Sequence, residues 1–318
     1  MDHDHSHGPI PEGAMDRRLW ASATLNFAIT VAELFGGLLS GSLALLSDAA
    51  HNLSDVAAVV LALWARLLGR RPPTVRHTFG FKRAEVLAAL INAVVLIAIT
   101  VLIAREAFVR LVNPQPVAQG LMLAVALVAF LANVGSMLLL RRHEKGDVSV
   151  RSAFLHMAQD ALASLAVVGA ALLAKTAAGP YVDPVAALVV GFAVLRSALV
   201  LVWETISTLM EGVPEGVDVE ALAAGVAEAF PSVRFHHVHL WQNGPGQRLL
   251  TAHAALEENF DGHAIEALFT DIKVFLHQRW EITHATLEPE VAGCGENALL
   301  GQWKHKEQSL GLRNGASA

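Results

Sequence analysis

Six long apolar runs limit what this chain can become. They fall at about residues 19–39, 43–68, 84–108, 121–140, 152–174 and 185–207. Each has roughly the 17–25 residues that the hydrocarbon core of a bilayer demands of a helix. Only Ser40 to Ser42 separates the first two, so they form a tight helical hairpin. Charged residues are 16% of the chain, well below the usual quarter for soluble domains. The net charge of −6 argues against a nucleic-acid binder. The single cysteine, Cys294, allows neither an intrachain disulfide nor a four-cysteine zinc site. Residues 1–13 are polar and His-rich and do not read as a cleaved signal peptide.

Lysine and arginine set the expected orientation. The N-terminal flank and the loops after the second and fourth runs carry twelve, among them Arg17, Arg70, Arg76, Arg83, Arg142 and Lys145. The opposite side carries three, Arg105, Arg110 and Lys175. That asymmetry places both termini in the cytoplasm. Arg196, inside the sixth run, does not fit the pattern.

Polar residues inside the runs are the next signal. Asp48, His51, Asn52 and Asp55 fall at i, i+3, i+4 and i+7 of the second run, on one helical face. In the fifth run His156 and Asp160 repeat the His-x-x-x-Asp spacing. Ionisable groups at membrane depth are costly, and they line a pathway or meet a partner inside the bundle. Two imidazoles and two carboxylates form an N₂O₂ set suited to tetrahedral Zn²⁺. Two Asp charges also cancel one dication where uncompensated charge costs most. The bland alternative is polar glue between helices. In the first run Glu33 either accepts protons or bonds a neighbouring helix; with no histidine beside it, the second reading is favoured. Asp48 either guides ions at the mouth of the site or makes a helix contact.

Residues 36–55, from Gly36-Gly37 through Ser47-Asp48-Ala49-Ala50-His51-Asn52-Leu53-Ser54-Asp55, resemble the signature of the cation diffusion facilitator family. Phe79-Gly80-Phe81-Lys82-Arg83-Ala84-Glu85-Val86-Leu87 is similar to its next signature, and the likeness spans about residues 17–290. It implies a homodimeric, proton-coupled exporter of divalent metal in a bilayer. It also implies that His51, Asp55, His156 and Asp160 are the transport site, with histidine in both pairs as in zinc-preferring members. The expected location is a bacterial inner membrane. Some members have a further metal site in the loop after the second span; His77 fits one position, but Phe81 stands where a second His is needed.

After Glu211-Gly212-Val213-Pro214 the composition becomes that of a small soluble domain. Val219, Leu222, Ala223, Val226 and Phe230 keep a helical period that Pro231 ends. Residues 233–242, 248–256 and 281–288 read as strands and 263–279 as a helix. The expected fold is therefore a mainly α membrane protein: a six-transmembrane-helix bundle with a small cytoplasmic α+β domain of αββαβ order, metallochaperone-like or ferredoxin-like. The expected organisation is a His-rich tail (1–16), a transmembrane domain (17–210), a metal-binding and dimerisation domain (211–290) and a disordered tail (291–318).

His236, His253, His263 and His284 match positions where family members bind zinc in the cytoplasmic domain, with His239 and Glu288 as further candidates. Zn²⁺ is thus expected both as cargo and as a structural or regulatory ligand. Exposed strand histidines without a ligand role are the alternative. His3, His5 and His7, interleaved with acids, form either a loose metal tract or a solvated tail. Other functions remain open. The same site would carry Co²⁺, Cd²⁺, Ni²⁺ or Fe²⁺. A membrane metal sensor needs no ligands at membrane depth. An intramembrane metalloenzyme needs an open metal position, and no His-Glu-x-x-His occurs.

Overall fold

The computed structural model describes residues 12–140, 148–176, 178–257, 260–290 and 298–300. His3, His5 and His7, the charged loop 141–147 and most of the expected tail lie outside the described residues. Six helices come first: α1 (Glu12–Ser40), α2 (Leu43–Gly69), α3 (Ala84–Val112), α4 (Gln119–Leu140), α5 (Val148–Leu173) and α6 (Gly179–Leu209). Five of them, α2 to α6, are long and apolar enough to cross a membrane, and α1 adds an apolar segment, Thr24–Ser40. A span in lipid must satisfy its backbone internally, which is why these runs are helical throughout. The chain divides into two compact units, one of residues 1–65 and 87–204, the other of 66–86 and 205–318.

In the first unit small side chains let the helices approach closely. Ala44, Ala107, Ala126, Ala170, Ala171 and Ala187 are buried in one cluster with Leu43, Leu45, Met122 and Val167. Large apolar side chains such as Leu102, Val128, Phe192 and Trp203 face outward, as lipid contact requires. At Gly37 of α1 a Cβ would lie 2.9 Å from the Leu46 side chain of α2, so only glycine permits this approach. Gly41, at φ 73°, makes the sharp turn between the two helices.

The start of α2 is fixed from α6. Asp183 is buried and accepts hydrogen bonds from the Ser42 hydroxyl, from Leu43 N at 2.8 Å and from Ala44 N at 3.2 Å. It satisfies donors that a helix start leaves unpaired and sets a negative charge against the helix dipole. The geometry explains what spacing alone did not show: the register of the site-bearing helix is anchored by a residue 140 positions away.

The second unit carries α7 (Val219–Ala229), β1 (Val233–Gly244), β2 (Gln247–Leu256), α8 (Gly262–Trp280) and β3 (Ile282–Glu290). The αββαβ order matches the expectation. Asp218 and Asp261 cap α7 and α8. The strand order is β1-β2-β3, with β1 antiparallel and β3 parallel to β2. A parallel neighbour needs a crossover, which α8 supplies. Leu222, Val226, Phe269, Ile272 and Leu276 of the helices pack on Val233, Phe235, Val238, Leu240, Leu250, Ala252 and Ile282 of the sheet.

This unit also takes in the loop between α2 and α3. Arg83 Nε donates to Asn243 Oδ1 at 3.0 Å, and Arg83 Nη2 lies 2.8 Å from Glu211 Oε1. Residues 298–300, expected within a disordered tail, are instead paired with β1: His237 N donates to Ala298 O at 3.3 Å and Val238 N to Leu299 O at 2.8 Å. The physical reason is a bulge in β1 that leaves those two N–H groups without partners on β2.

Replacing Asp183 with Ala leaves three buried donors unmatched. It should destabilise the detergent-solubilised protein by about 1–3 kcal/mol, read as a lowered unfolding midpoint, with Asp183→Asn retaining part of the loss.

Candidate metal centre

On α2, His51 and Asp55 lie one turn apart; on α5, His156 and Asp160 do the same. The packing of the first unit brings the two couples face to face. His51 Nε2 lies 3.7 Å from Asp55 Oδ2 and 3.9 Å from Asp160 Oδ1. His156 Nε2 lies 3.5 Å from Asp55 Oδ2 and 3.6 Å from Asp160 Oδ2. The four groups therefore form a ring in which imidazole and carboxylate alternate. Four ligands about 2.0–2.1 Å from a tetrahedral ion stand about 3.3 Å from one another, so the edges need to shrink by only a few tenths of an ångström.

The ring is under-bonded as it stands. Asp55 Oδ2 and both oxygens of Asp160 are buried with no hydrogen-bond donor. Unsatisfied carboxylate oxygens are expensive away from water, and a dication at the centre would satisfy all of them. Access is one-sided. The side chains of Asp55 and His156 are 33% and 35% exposed and His51 22%, while Asp160 is fully buried. The exposed pair lies toward the C-terminal end of α2 and the N-terminal end of α5. On the other side the ring is closed by Asp48 and Ser164, both buried, with Ser164 Oγ donating to Asp48 Oδ2 at 3.2 Å. Asp48 is thus not at an open mouth. Gln159, the residue before Asp160, is exposed.

Asn52 of α2, buried next to His51, donates to Glu33 Oε2 at 2.8 Å, so Glu33 does bond a neighbouring helix. Asn92 of α3 donates to Ser54 Oγ at 2.9 Å and fixes the neighbouring turn of α2. These contacts hold α2 from both sides of the ligand pair.

Residues 19–210 match the cation efflux transmembrane domain. The chain belongs to the cation efflux, or cation diffusion facilitator, family. It is similar to zinc transporter ZitB of Pectobacterium atrosepticum, 42% identical over 93% of this chain and 91% of the relative. ZitB of Escherichia coli is 39% identical over 92% of this chain and 94% of the relative. The cadmium, cobalt and zinc/H(+)-K(+) antiporter of Bacillus subtilis is 33% identical over 97% of this chain and 98% of the relative. Membership in this family fits the membrane-spanning helices and the sheet domain alike.

A second group of ligand-bearing side chains sits on the sheet face opposite α7 and α8. His236, His253 and Glu290 place one ligand atom each within 4.8 Å of one another. His236 Nε2 lies 3.0 Å from Glu290 Oε2, and His253 Nδ1 lies 2.6 Å from Glu290 Oε1. Glu288 approaches His253 Nε2 at 3.6 Å. The His237 ring is 5.2 Å from His236 and 4.8 Å from His253.

Of the other histidines expected here, the structure brings none into this cluster. His284 shares its face but pairs with Leu249, four residues along β3 from Glu288, or about 13 Å. His239 is exposed one step beyond the bulge, and His263 is exposed at the start of α8. Glu290 and His237 were missed. Strand alternation from His284 through Thr286 and Glu288 leads to Glu290, but the strand was expected to stop at Glu288. His237 reaches the cluster because the register shifts between His236 and His239, and its φ of 49° is left-handed; alternation alone sends it to the other face. In the loop, His77 is exposed, bonds within its own turn to Thr74, and stacks on Phe81 at 4.5 Å.

Replacing His253 with Ala together with Glu290→Gln should lower zinc bound at saturation by one ion per chain in the full-length protein, measured by equilibrium dialysis, without affecting ions held by the helices.

Proposed function

We propose that the protein exports Zn²⁺ from the cytoplasm in exchange for protons, with His51, Asp55, His156 and Asp160 as the ligands of the travelling ion. The observation that carries this reading is the ring itself. Two histidines and two aspartates from two membrane helices converge with their buried carboxylate oxygens unpaired. The names of the ZitB relatives support zinc as cargo. The Bacillus subtilis relative, named for cadmium, cobalt and zinc, favours a second reading in which the same ring accepts several soft dications.

The cycle runs by alternating access. Zn²⁺ enters between the helices on the side where Asp55 and His156 are exposed, which the positive-inside pattern assigns to the cytoplasm. The helices then rock so that the ring opens past Asp48 and Ser164. Protons arriving there compete for the same ligands, because a protonated imidazole cannot hold a metal. Acidity outside therefore favours release, and a neutral cytoplasm favours reloading. Moving two charges against a membrane potential of about 100 mV costs roughly 4.6 kcal/mol, and entering protons offset part of it.

The working form is a homodimer in a bacterial inner membrane, with both termini cytoplasmic. The His236, His253 and Glu290 cluster, with Glu288 beside it, holds a regulatory Zn²⁺. That ion neutralises the acidic side chains and biases the dimer toward one shape. The relatives it resembles are named as transporters, which supports transport over catalysis.

Asp55→Ala or Asp160→Ala should abolish zinc uptake into inside-out vesicles, while the protein still inserts and dimerises. Full transport by either variant rules out the ring as the transport site. His51→Asp replaces a nitrogen ligand with oxygen and should widen selectivity toward cadmium; an unchanged zinc-over-cadmium ratio in the flux assay would count against His51 as the filter. In the wild-type protein, zinc affinity should fall as the medium is made more acidic, because protons compete for the same ligands, measured by fluorescent-chelator competition.

A further inference from the structure

One turn beyond the ring, on its closed side, lies a layer that the ring does not use. Glu33 of α1 and Asp48 of α2 are both fully buried. Glu33 Oε2 accepts from Asn52 Nδ2, and Asp48 Oδ2 accepts from Ser164 Oγ. Their remaining oxygens, Glu33 Oε1 and Asp48 Oδ1, have no donor among the neighbouring amides and hydroxyls. Asn52, which holds Glu33, stands one turn along α2 from Asp48, so the two carboxyl groups share one dry layer. Two carboxylates this close and away from water repel each other, whereas a carboxylic acid beside a carboxylate is accommodated. The pair is therefore stable with one proton.

The titratable groups facing the pair are His51 of α2 and Asp160 of α5, both members of the ring. Asn52 and Ser164, which complete its hydrogen bonds, are neutral. α4, which packs on α1, carries no titratable side chain. Asp48 lies three residues before His51, about 4.5 Å along the helix axis. The pair stands between the ring and the Leu43 end of α2. A proton arriving from that end meets the pair before it meets the metal ligands.

We propose that Glu33 and Asp48 together form a second proton site of the exchange cycle, holding one proton while the ring is empty and releasing it when a dication loads. This rests on the metal–proton exchange above and adds a site outside the metal ligands. On loading, the O–H bond of whichever carboxyl carries the proton breaks. Its electron pair stays on that oxygen, and the proton leaves to water. The second negative charge that appears is balanced by the dication one turn away. On metal release, a solvent proton re-forms the O–H bond.

The test counts protons. Zinc chloride is titrated into purified full-length protein at pH 7 in buffers of different ionisation enthalpy, and the heats give protons released per zinc bound. Glu33→Gln keeps an acceptor for Asn52 and a donor for Asp48. It should bind zinc with the same stoichiometry and an affinity within about three-fold of wild type, and release about one proton fewer. Asp48→Asn should lose the same proton. The double variant should lose no more than either single one, because one proton is shared. Infrared difference spectra between empty and zinc-loaded protein should show a protonated-carboxyl carbonyl band vanish in the wild type and be absent from both variants. An unchanged proton count in Glu33→Gln, or losses that add in the double variant, would overturn the proposal while leaving the metal ring intact. A wild-type protein that binds no zinc in its helices would instead overturn the transport reading, and this one with it.

Discussion

Charge neutrality at membrane depth governs this molecule. Asp55 and Asp160 sit among apolar helices, and the oxygens of Asp160 are sealed from solvent without a donor. Such groups are tolerable only if positive charge arrives to meet them. A dication meets the need in one step, and protons meet it in two. In the proposed exchange, the same deficit draws the metal in and lets protons displace it.

Geometry gives that deficit a defined shape. Imidazole and carboxylate alternate around the ring, so an imidazole stands between the two aspartates on either side. Alternation lowers the repulsion between the two aspartates when the ring is empty. The positions of the ligands depend on distant contacts. Asp183 fixes the first turn of α2, Gly37 sets the distance between α1 and α2, and Asn52 and Ser54 tie α2 to α1 and α3. None of the four ring residues makes these contacts, yet each contact sets where the ring side chains point.

Much of this was legible in the chain. The six runs have the length and composition of spans, and the two His-x-x-x-Asp pairs announce their own face because helical periodicity is strict. The order of the sheet domain was readable for a similar reason, since Pro231 and the Asn243–Gly246 turn punctuate clear alternations. What sequence did not disclose were contacts that period cannot predict. The bulge at His237 breaks the two-residue rhythm of β1, which brings in one histidine that alternation sends away. Glu290 was lost to a strand end misplaced by two residues, since element ends are the part that pattern fixes least. His284 and Glu288 do share a face, but sharing a face does not bring side chains within reach. Glu33 looked solitary because its partner, Asp48, is on another helix.

The short stretch at Ala298 and Leu299 has a consequence for how the chain tolerates trimming. Its carbonyls receive the two amide protons that the β1 bulge leaves over, and Leu299 packs against the core of the sheet domain. It acts as a strap across the kink that turns His236 and His237 toward one another. Cutting the polypeptide just before Ala298 removes no histidine of that cluster, yet it unfastens the backbone on which two of them are mounted. Residues 298 and 299 thus brace the backbone of a side-chain cluster to which they contribute no side chain of their own.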